Sequence, residues 1–203
     1  MTPPPFDTAP PPARDTRERI LRAALHLFRK RGYHGVGITE ILEVAQAPKG
    51  SMYHHFPGGK ESVGVAVIQT MTRGLIDVFT AMPAQSTEAQ VLQAGAQMAL
   101  GLEKTHHEIC ALFSGFVAER TASPLLGAAL AEAYDRMVAT LQERLLADGF
   151  AAAAAHDTAL SVVMLLEGGS ILSHTHQSIA PFRLAVRQAA SLCRLPAAGL
   201  SGA

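Results

Sequence analysis

The sequence of 203 residues has little charge, few aromatic side chains and only two cysteines. Charged residues make up 17% of the chain and aromatic residues 5%, whereas apolar residues reach 48%. Cys110 and Cys193 are too far apart in sequence for a metal-binding motif, and two cysteines do not make a disulfide framework. A reducing cytoplasm is therefore the expected compartment.

The sequence also lacks segments that direct a protein to or across a membrane. Its uncharged stretches are interrupted by Gly, Ser, Gln or Pro, and none forms an apolar block long enough to span a bilayer. Prolines stand at the N-terminus where a signal peptide would need an apolar run. A chain this apolar is then expected to bury its excess apolar surface in an oligomer interface or an internal pocket.

The sequence motifs of enzymes and metal sites are missing as well. We find no Gly-rich phosphate loop, no nucleophile elbow and no carboxylate pair with a histidine at a useful spacing. His106-His107 and His174-Thr175-His176 place their histidines on different helix faces, whereas two metal ligands on one helix usually stand four residues apart. We therefore expect a protein that is not an enzyme and holds no metal or cofactor.

The net charge of zero conceals a basic N-terminal third. Residues 14–73 contain ten Lys or Arg against five Asp or Glu, and residues 74–203 contain seven against eleven. Such an asymmetry is typical of a protein in which one part meets a polyanion. Charged residues scattered over solvated helix faces would give the same count, so charge alone leaves both interpretations open.

Apolar residues recur at helical spacing from Thr16 onward, and no alternating strand pattern competes, so we predict an all-α fold. Residues 1–13 contain six prolines and predict a disordered arm. Residues 14–60 are expected to form a first domain and residues 61–203 a second, larger one. Ser123 and Thr87 are the expected caps of two later helices. The predicted helices after residue 60 run approximately over 60–79, 87–104, 107–120, 124–147, 156–177 and 180–195.

Residues 38–45 and 49–56 form two short helical segments joined by Gln46-Ala47-Pro48, which is the pattern of a helix-turn-helix. In this motif the second helix enters the major groove of DNA with its N-terminal residues toward the base edges. Met52 and Phe56 fall on the inward face of that helix. The residues left to face outward are Lys49, Ser51, Tyr53 and His54.

The stretch from Thr16 to Glu61, above all PKGSMYHHFPGGKE over residues 48–61, resembles the N-terminal domain of the TetR/AcrR repressor family. The sequence of this stretch is similar to that of the LmrA/YxaF-like subgroup. Residues 167–172 and 178–182 resemble the C-terminal region of that subgroup more weakly. The resemblance implies a cytoplasmic, dimeric transcriptional regulator. It also implies a three-helix DNA-binding domain followed by a larger helical domain that binds an effector and dimerises.

The resemblance assigns DNA contacts position by position. Gly37 and Pro48 replace the usual Ser or Thr caps, and Gly58-Gly59 is one residue longer than the usual turn before Lys60. From the residues alone, Tyr53 is also compatible with a core position, His55 with packing, and Thr39 with an exposed residue of no consequence. The residues expected to contact double-stranded operator DNA are Thr39, Lys49, Gly50, Ser51, Tyr53, His54 and Lys60.

The resemblance further implies an effector cavity and a dimer interface in the second domain. Segment 156–177 is apolar on several sides, so we expect it to form the homodimer interface together with 180–195, and Gly168-Gly169 permits close approach of another helix. Ordinary core packing is the alternative for each cavity residue. Flat aromatic effectors such as flavonoids are implied for this subgroup. The expected effector-binding residues are Met71, Leu75, Phe79, Phe113, Phe116, Met137, Met164 and Glu167.

The expected function is that of a repressor released from its operator by a small apolar or aromatic effector. An activator, or a regulator controlled by a protein partner without a small-molecule effector, fits the sequence as an alternative.

Overall fold

The computed structural model describes residues 15–81, 86–104 and 112–195. Within these ranges the chain folds into nine α-helices and one 3-10 turn at Ala118–Arg120, without a strand. The expected N-terminal arm, Cys110 and the pair His106-His107 lie outside the described residues. The helices are α1 Thr16–Arg31, α2 Ile38–Ala45, α3 Lys49–His55, α4 Lys60–Thr80, α5 Thr87–Lys104, α6 Leu112–Val117, α7 Pro124–Ala147, α8 Ala152–His176 and α9 Ala180–Leu192.

Local sequence signals set most helix starts, and two starts differ from the expected pattern. The Ser123 hydroxyl accepts a hydrogen bond from the Leu126 amide at 3.1 Å and caps α7, as predicted. At α5 the cap is Ser86, whose hydroxyl accepts from the Ala89 amide at 3.2 Å, so the expectation for Thr87 was wrong by one residue. Helix α8 begins at Ala152, four residues before the expected start, because alanines favour a helix without contributing to an apolar stripe.

The core consists of two main clusters of buried side chains. The first joins α1, α2, α3 and α4 to the beginning of α7 and to α6, and it includes Phe28, Met52 and Phe116. The second lies among α5, α7, α8 and α9, with Leu145 and Val162 fully buried. The first cluster crosses residue 60, the predicted domain boundary, because α4 packs on α1 and also on α7. Helices α1, α2 and α3 and the larger C-terminal bundle are thus joined by α4.

Helices α8 and α9 approach each other closely at Gly169. A Cβ built there would lie 2.5 Å from the Cβ of Ala185 and 3.3 Å from the carbonyl oxygen of Pro181. The same construction at Gly168 meets no atom within 4 Å. The close approach expected from Gly168-Gly169 therefore occurs at one glycine, and its partner helix belongs to the same chain.

Helix α4, Lys60–Thr80, is by length and composition the one described helix that would be long and apolar enough to cross a membrane. Core helices of globular proteins meet the same criterion. Val63, Val67 and Met71 of α4 are buried in the first core cluster, against α1 and α7.

Candidate functional site

Helices α2 and α3 are held in the helix-turn-helix arrangement by a tight turn and a shared core. Gln46 ends α2 in the left-handed conformation with a φ of 49°, and Pro48 takes the position before the first residue of α3. Ile41 and Met52 are fully buried, and Phe56 is nearly so. Burial of these apolar residues fixes the rotation of α3 and thereby decides which of its side chains face solvent.

The solvent-facing side of α3 contains the predicted contact residues. Lys49, Gly50 and His54 are exposed, and Tyr53 has 53% of its surface accessible, which excludes the core position considered for it. Ser51 is half-buried, and Thr39 is exposed on α2. His55 packs its ring 4.8 Å from that of His54 and is itself half-buried. The structure thus leaves six of the seven residues exposed or partly exposed on α2 and α3, and their contact with DNA stays a prediction.

Lys60 differs from the other six residues because its ammonium group has a partner within the protein. Its Nζ atom lies 4.3 Å from the centroid of the Tyr33 ring, and the side chain is half-buried. Gly59 makes this possible by turning the chain with a φ of 61° immediately before α4. Desolvation lowers the pKa of Lys60, with Glu119 acting in the opposite direction. A phosphate would have to compete with this cation–π contact.

Arg17 is a candidate DNA contact that the sequence analysis missed. Its guanidinium carbon lies 5.2 Å from the centroid of the Phe56 ring, which places an exposed cation of α1 beside the end of α3. The apolar pattern of α1 gives no sign of this position, because the contact joins residues 39 positions apart and depends on how the helices pack.

A polar and aromatic junction connects this surface to the C-terminal helices. The Tyr33 ring lies 5.5 Å from Phe116 and 5.3 Å from Phe28. The His34 Nε2 atom lies 2.7 Å from a carboxylate oxygen of Glu119, which is only 2% exposed. Burial, Glu61 and Glu119 raise the pKa of Tyr33 to about 12, so its hydroxyl keeps its proton at neutral pH. The loop after α1 is therefore tied to α6 and the 3-10 turn.

A cavity of about 130 Å³ lies among α4, α5, α6, α7 and α8. Helix α5, which the sequence analysis did not assign to the site, supplies Val91, Ala94, Gly95, Met98 and Leu102 to its lining. An apolar cavity of roughly 150 Å³ is known to bind benzene, so this volume suits a single aromatic ring. Six predicted residues line the cavity, namely Met71, Leu75, Phe79, Phe113, Met137 and Glu167.

The two other predicted residues do not line this cavity. Phe116 is fully buried, but it packs against Phe28 and Tyr33 at the junction with α1. Met164 is 64% exposed on the side of α8 that faces away from the cavity. The apolar residues of α8 surround the helix on all sides, so sequence periodicity does not tell which of them face inward.

Glu167 is the one acidic or basic side chain among the described lining residues of this cavity. Burial raises the pKa of its carboxyl group to about 7, and a hydrogen bond with Tyr134 acts in the opposite direction. Tyr134 was not predicted as part of the site. Its pKa is raised in turn by burial and by Glu167, so the hydroxyl is the donor of this bond at neutral pH.

The surface formed by α8 and α9, which pack on each other, exposes large apolar side chains. Met164 and Ile171 of α8 and Leu184 and Leu192 of α9 each have at least 42% of their surface accessible. This is where the sequence predicts a homodimer interface, and pairing there stays a prediction.

The described residues offer little for metal or thiol chemistry. No group of three His, Cys, Asp or Glu side chains within residues 15–81, 86–104 and 112–195 is placed to hold a metal ion. Cys193 is buried, and burial raises the pKa of its thiol to about 12, which disfavours the reactive thiolate.

Residues 20–67 match the family described as bacterial regulatory proteins of the tetR family, and residues 87–188 match the transcriptional regulator LmrA/YxaF-like C-terminal domain. The HTH-type transcriptional regulator LmrA of Bacillus subtilis is 33% identical over 170 residues, which cover 82% of this chain and 90% of LmrA. The uncharacterized HTH-type transcriptional regulator YxaF of the same organism is 29% identical over 184 residues, covering 89% of this chain and 96% of YxaF.

A TetR transcriptional regulator from Legionella pneumophila has the same fold, with a TM-score of 0.78 at 20% identity over 91% of this chain and all of the other. These families consist of transcriptional regulators and not of enzymes. The match to both halves, together with the exposed helix-turn-helix, shows that the chain belongs to the TetR family of transcriptional regulators, with a C-terminal domain of the LmrA/YxaF-like type.

Proposed function

We propose that this regulator is a cytoplasmic, dimeric repressor that leaves its operator when a small apolar or aromatic effector occupies the cavity. The observation that carries the proposal is the cavity itself, which has a volume of about 130 Å³ and an almost wholly apolar lining. Protein interiors are normally close-packed, so an empty space of this size is unusual in a core. A ligand that fills it gains the contacts that the empty space lacks. Residues 15–60 would hold the DNA, and the helices after them would bind effector and partner.

Helix α6 gives the cavity a physical route to the DNA-binding helices. Phe113 lines the cavity, and Phe116, one turn later, packs against Phe28 and Tyr33. Glu119 follows in the 3-10 turn and pairs with His34. An effector that displaces Phe113 would therefore shift the position of α1 relative to the C-terminal bundle. The recognition helices of a dimer would then no longer fit half-sites about 34–36 Å apart, a population shift between two arrangements.

The test combines ligand binding with release of DNA. Single-ring aromatic compounds that raise the melting temperature are added to complexes with duplexes selected from a random-sequence pool. We expect the binding compounds to weaken DNA affinity about 5- to 150-fold, the usual range of allosteric coupling. Ala94→Leu fills the cavity from α5 and should remove this response while DNA binding persists. Ala139→Leu, on the exposed side of α7, is the matched control and should keep the response.

The proposal fails if compounds that bind the protein leave its DNA affinity unchanged, or if Ala94→Leu responds as the unmodified chain does. DNA binding that no small molecule alters would instead favour control by a protein partner.

A further inference from the structure

We propose that the cavity takes a small protonated amine, about the size of one aromatic ring, whose nitrogen pairs with the carboxylate of Glu167. This inference rests on the proposed function, since it assumes that the cavity is the effector site, and it adds the chemical class of the effector.

The lining of the cavity selects for a molecule that is apolar except at one point. Thr140 and Ser170 are the other polar side chains among the described lining residues, and the rest are apolar or aromatic. Glu167 contributes to this lining from α8, and burial there removes part of the hydration that a charged carboxylate needs. A ligand gains most if it covers the apolar wall and also compensates this one buried acid.

A cation compensates Glu167 better than a neutral group does. The described lining contains no Lys, Arg or His, and the Tyr134 hydroxyl supplies a hydrogen bond but no positive charge. An ammonium donor forms a charge-assisted hydrogen bond to a carboxylate, which is roughly twice as strong as a bond between neutral groups. Phe79 and Phe113 provide aromatic rings that also tolerate a cation. An acidic ligand would meet repulsion from Glu167 and no compensating charge among the described lining residues.

The pH dependence of binding follows from the ionisation of Glu167. The carboxyl group is hydrogen-bonded to Tyr134 of α7, which keeps its proton, and the other polar side chains of the described lining are the uncharged Thr140 and Ser170. Because burial raises the pKa of Glu167 to about 7, its ionised fraction grows about tenfold between pH 6 and pH 8. An amine binds the ionised form, so its affinity should rise with pH over this range. A neutral hydrogen-bond acceptor binds the protonated acid and should show the opposite trend.

Benzylamine and benzyl alcohol are the probes, because they share a ring and a methylene and differ in charge. Calorimetric titration of the full chain should give benzylamine an affinity at least about tenfold higher than benzyl alcohol at pH 8. The affinity for benzylamine should fall about tenfold on going to pH 6. Glu167→Gln should abolish both the preference and the pH dependence, while Asp157→Asn, the matching acid-to-amide change at an exposed position of α8 outside the lining, should retain both.

A second variant, Tyr134→Phe, keeps the proposal testable if Glu167→Gln does not fold. It removes the hydrogen bond that lowers the pKa of Glu167, so the midpoint of the pH profile should move upward while benzylamine still binds at high pH. Equal affinity for the two probes, tighter binding of the alcohol, or binding of neither would overturn the inference. If benzyl alcohol binds equally well and releases DNA, the effector function stands and only the amine assignment fails. Preferential binding of benzylamine without release of DNA would support the assignment and refute the proposed function.

Discussion

Lys49 and Lys60, two lysines of the DNA-binding half, show that the role of a lysine depends on the contacts its ammonium group makes within the protein. Lys49 is exposed at the start of α3, whereas the Lys60 ammonium lies over the Tyr33 ring. The family resemblance places both among the expected DNA contacts, but the contact of Lys60 with Tyr33 depends on the turn at Gly59 and on the packing of α1 against α4. Sequence spacing does not contain that information.

At this scale we predict that Lys49→Ala weakens binding to duplexes of any sequence and reduces the slope of log affinity against log salt by about one. The reason is the loss of one phosphate contact and the counterion it displaces. Fluorescence anisotropy over a salt series measures both quantities. Lys104→Ala, the same change at an exposed position at the end of α5, is the control and should leave the slope unchanged. A Lys49→Ala slope equal to that of the unmodified chain would remove this lysine from the interface.

Helix α6 is the element on which the proposed coupling depends. Phe116→Leu shortens the side chain that contacts Phe28 and Tyr33, so we predict that ligand still binds but that its effect on DNA affinity drops below about fivefold, under the usual range. The change should also cost roughly 0.5–3 kcal/mol of stability, as core substitutions do.

The matched control for this prediction is Phe182→Leu. Phe182 is also fully buried, but it lies in α9 within a cluster that includes α5 and not the DNA-binding helices. Ligand titrations against DNA binding, with thermal unfolding of both variants, separate coupling from stability. If the two variants lose coupling equally, α6 has no special role.

The positions of the helices were largely predictable from the sequence, but which face of each helix is buried was less predictable. Stripes of apolar residues and strong end signals such as Ser123 identified most elements and several of their ends. The start of α8 was missed because alanines carry no pattern, and Met164 was placed inward because that helix is apolar on all sides. Phe113 and Phe116 are one turn apart on α6, yet Phe113 lines the cavity and Phe116 packs at the junction with α1. This difference depends on which helices pack against each side of α6, and the sequence pattern does not show that.

At the scale of the whole molecule, the dimer interface has to hold the two recognition helices at the spacing that the DNA half-sites require. The exposed apolar residues of α8 and α9 offer a surface for a second copy at the end of the chain farthest in sequence from α3. Two copies joined there would present two recognition helices, and a twofold arrangement requires half-sites separated by about one helical turn of DNA. The sequence predicted this surface from its apolar character, but the distance between the two α3 helices is set by the subunit arrangement.

Footprinting of the purified full chain on genomic DNA from its source organism tests this central claim most directly. We predict protected sites made of two related half-sites in opposite orientation, with centres about 10–10.5 base pairs apart or a multiple of that spacing. Protection of isolated half-sites, or no protection of double-stranded DNA at low ionic strength, would contradict the account.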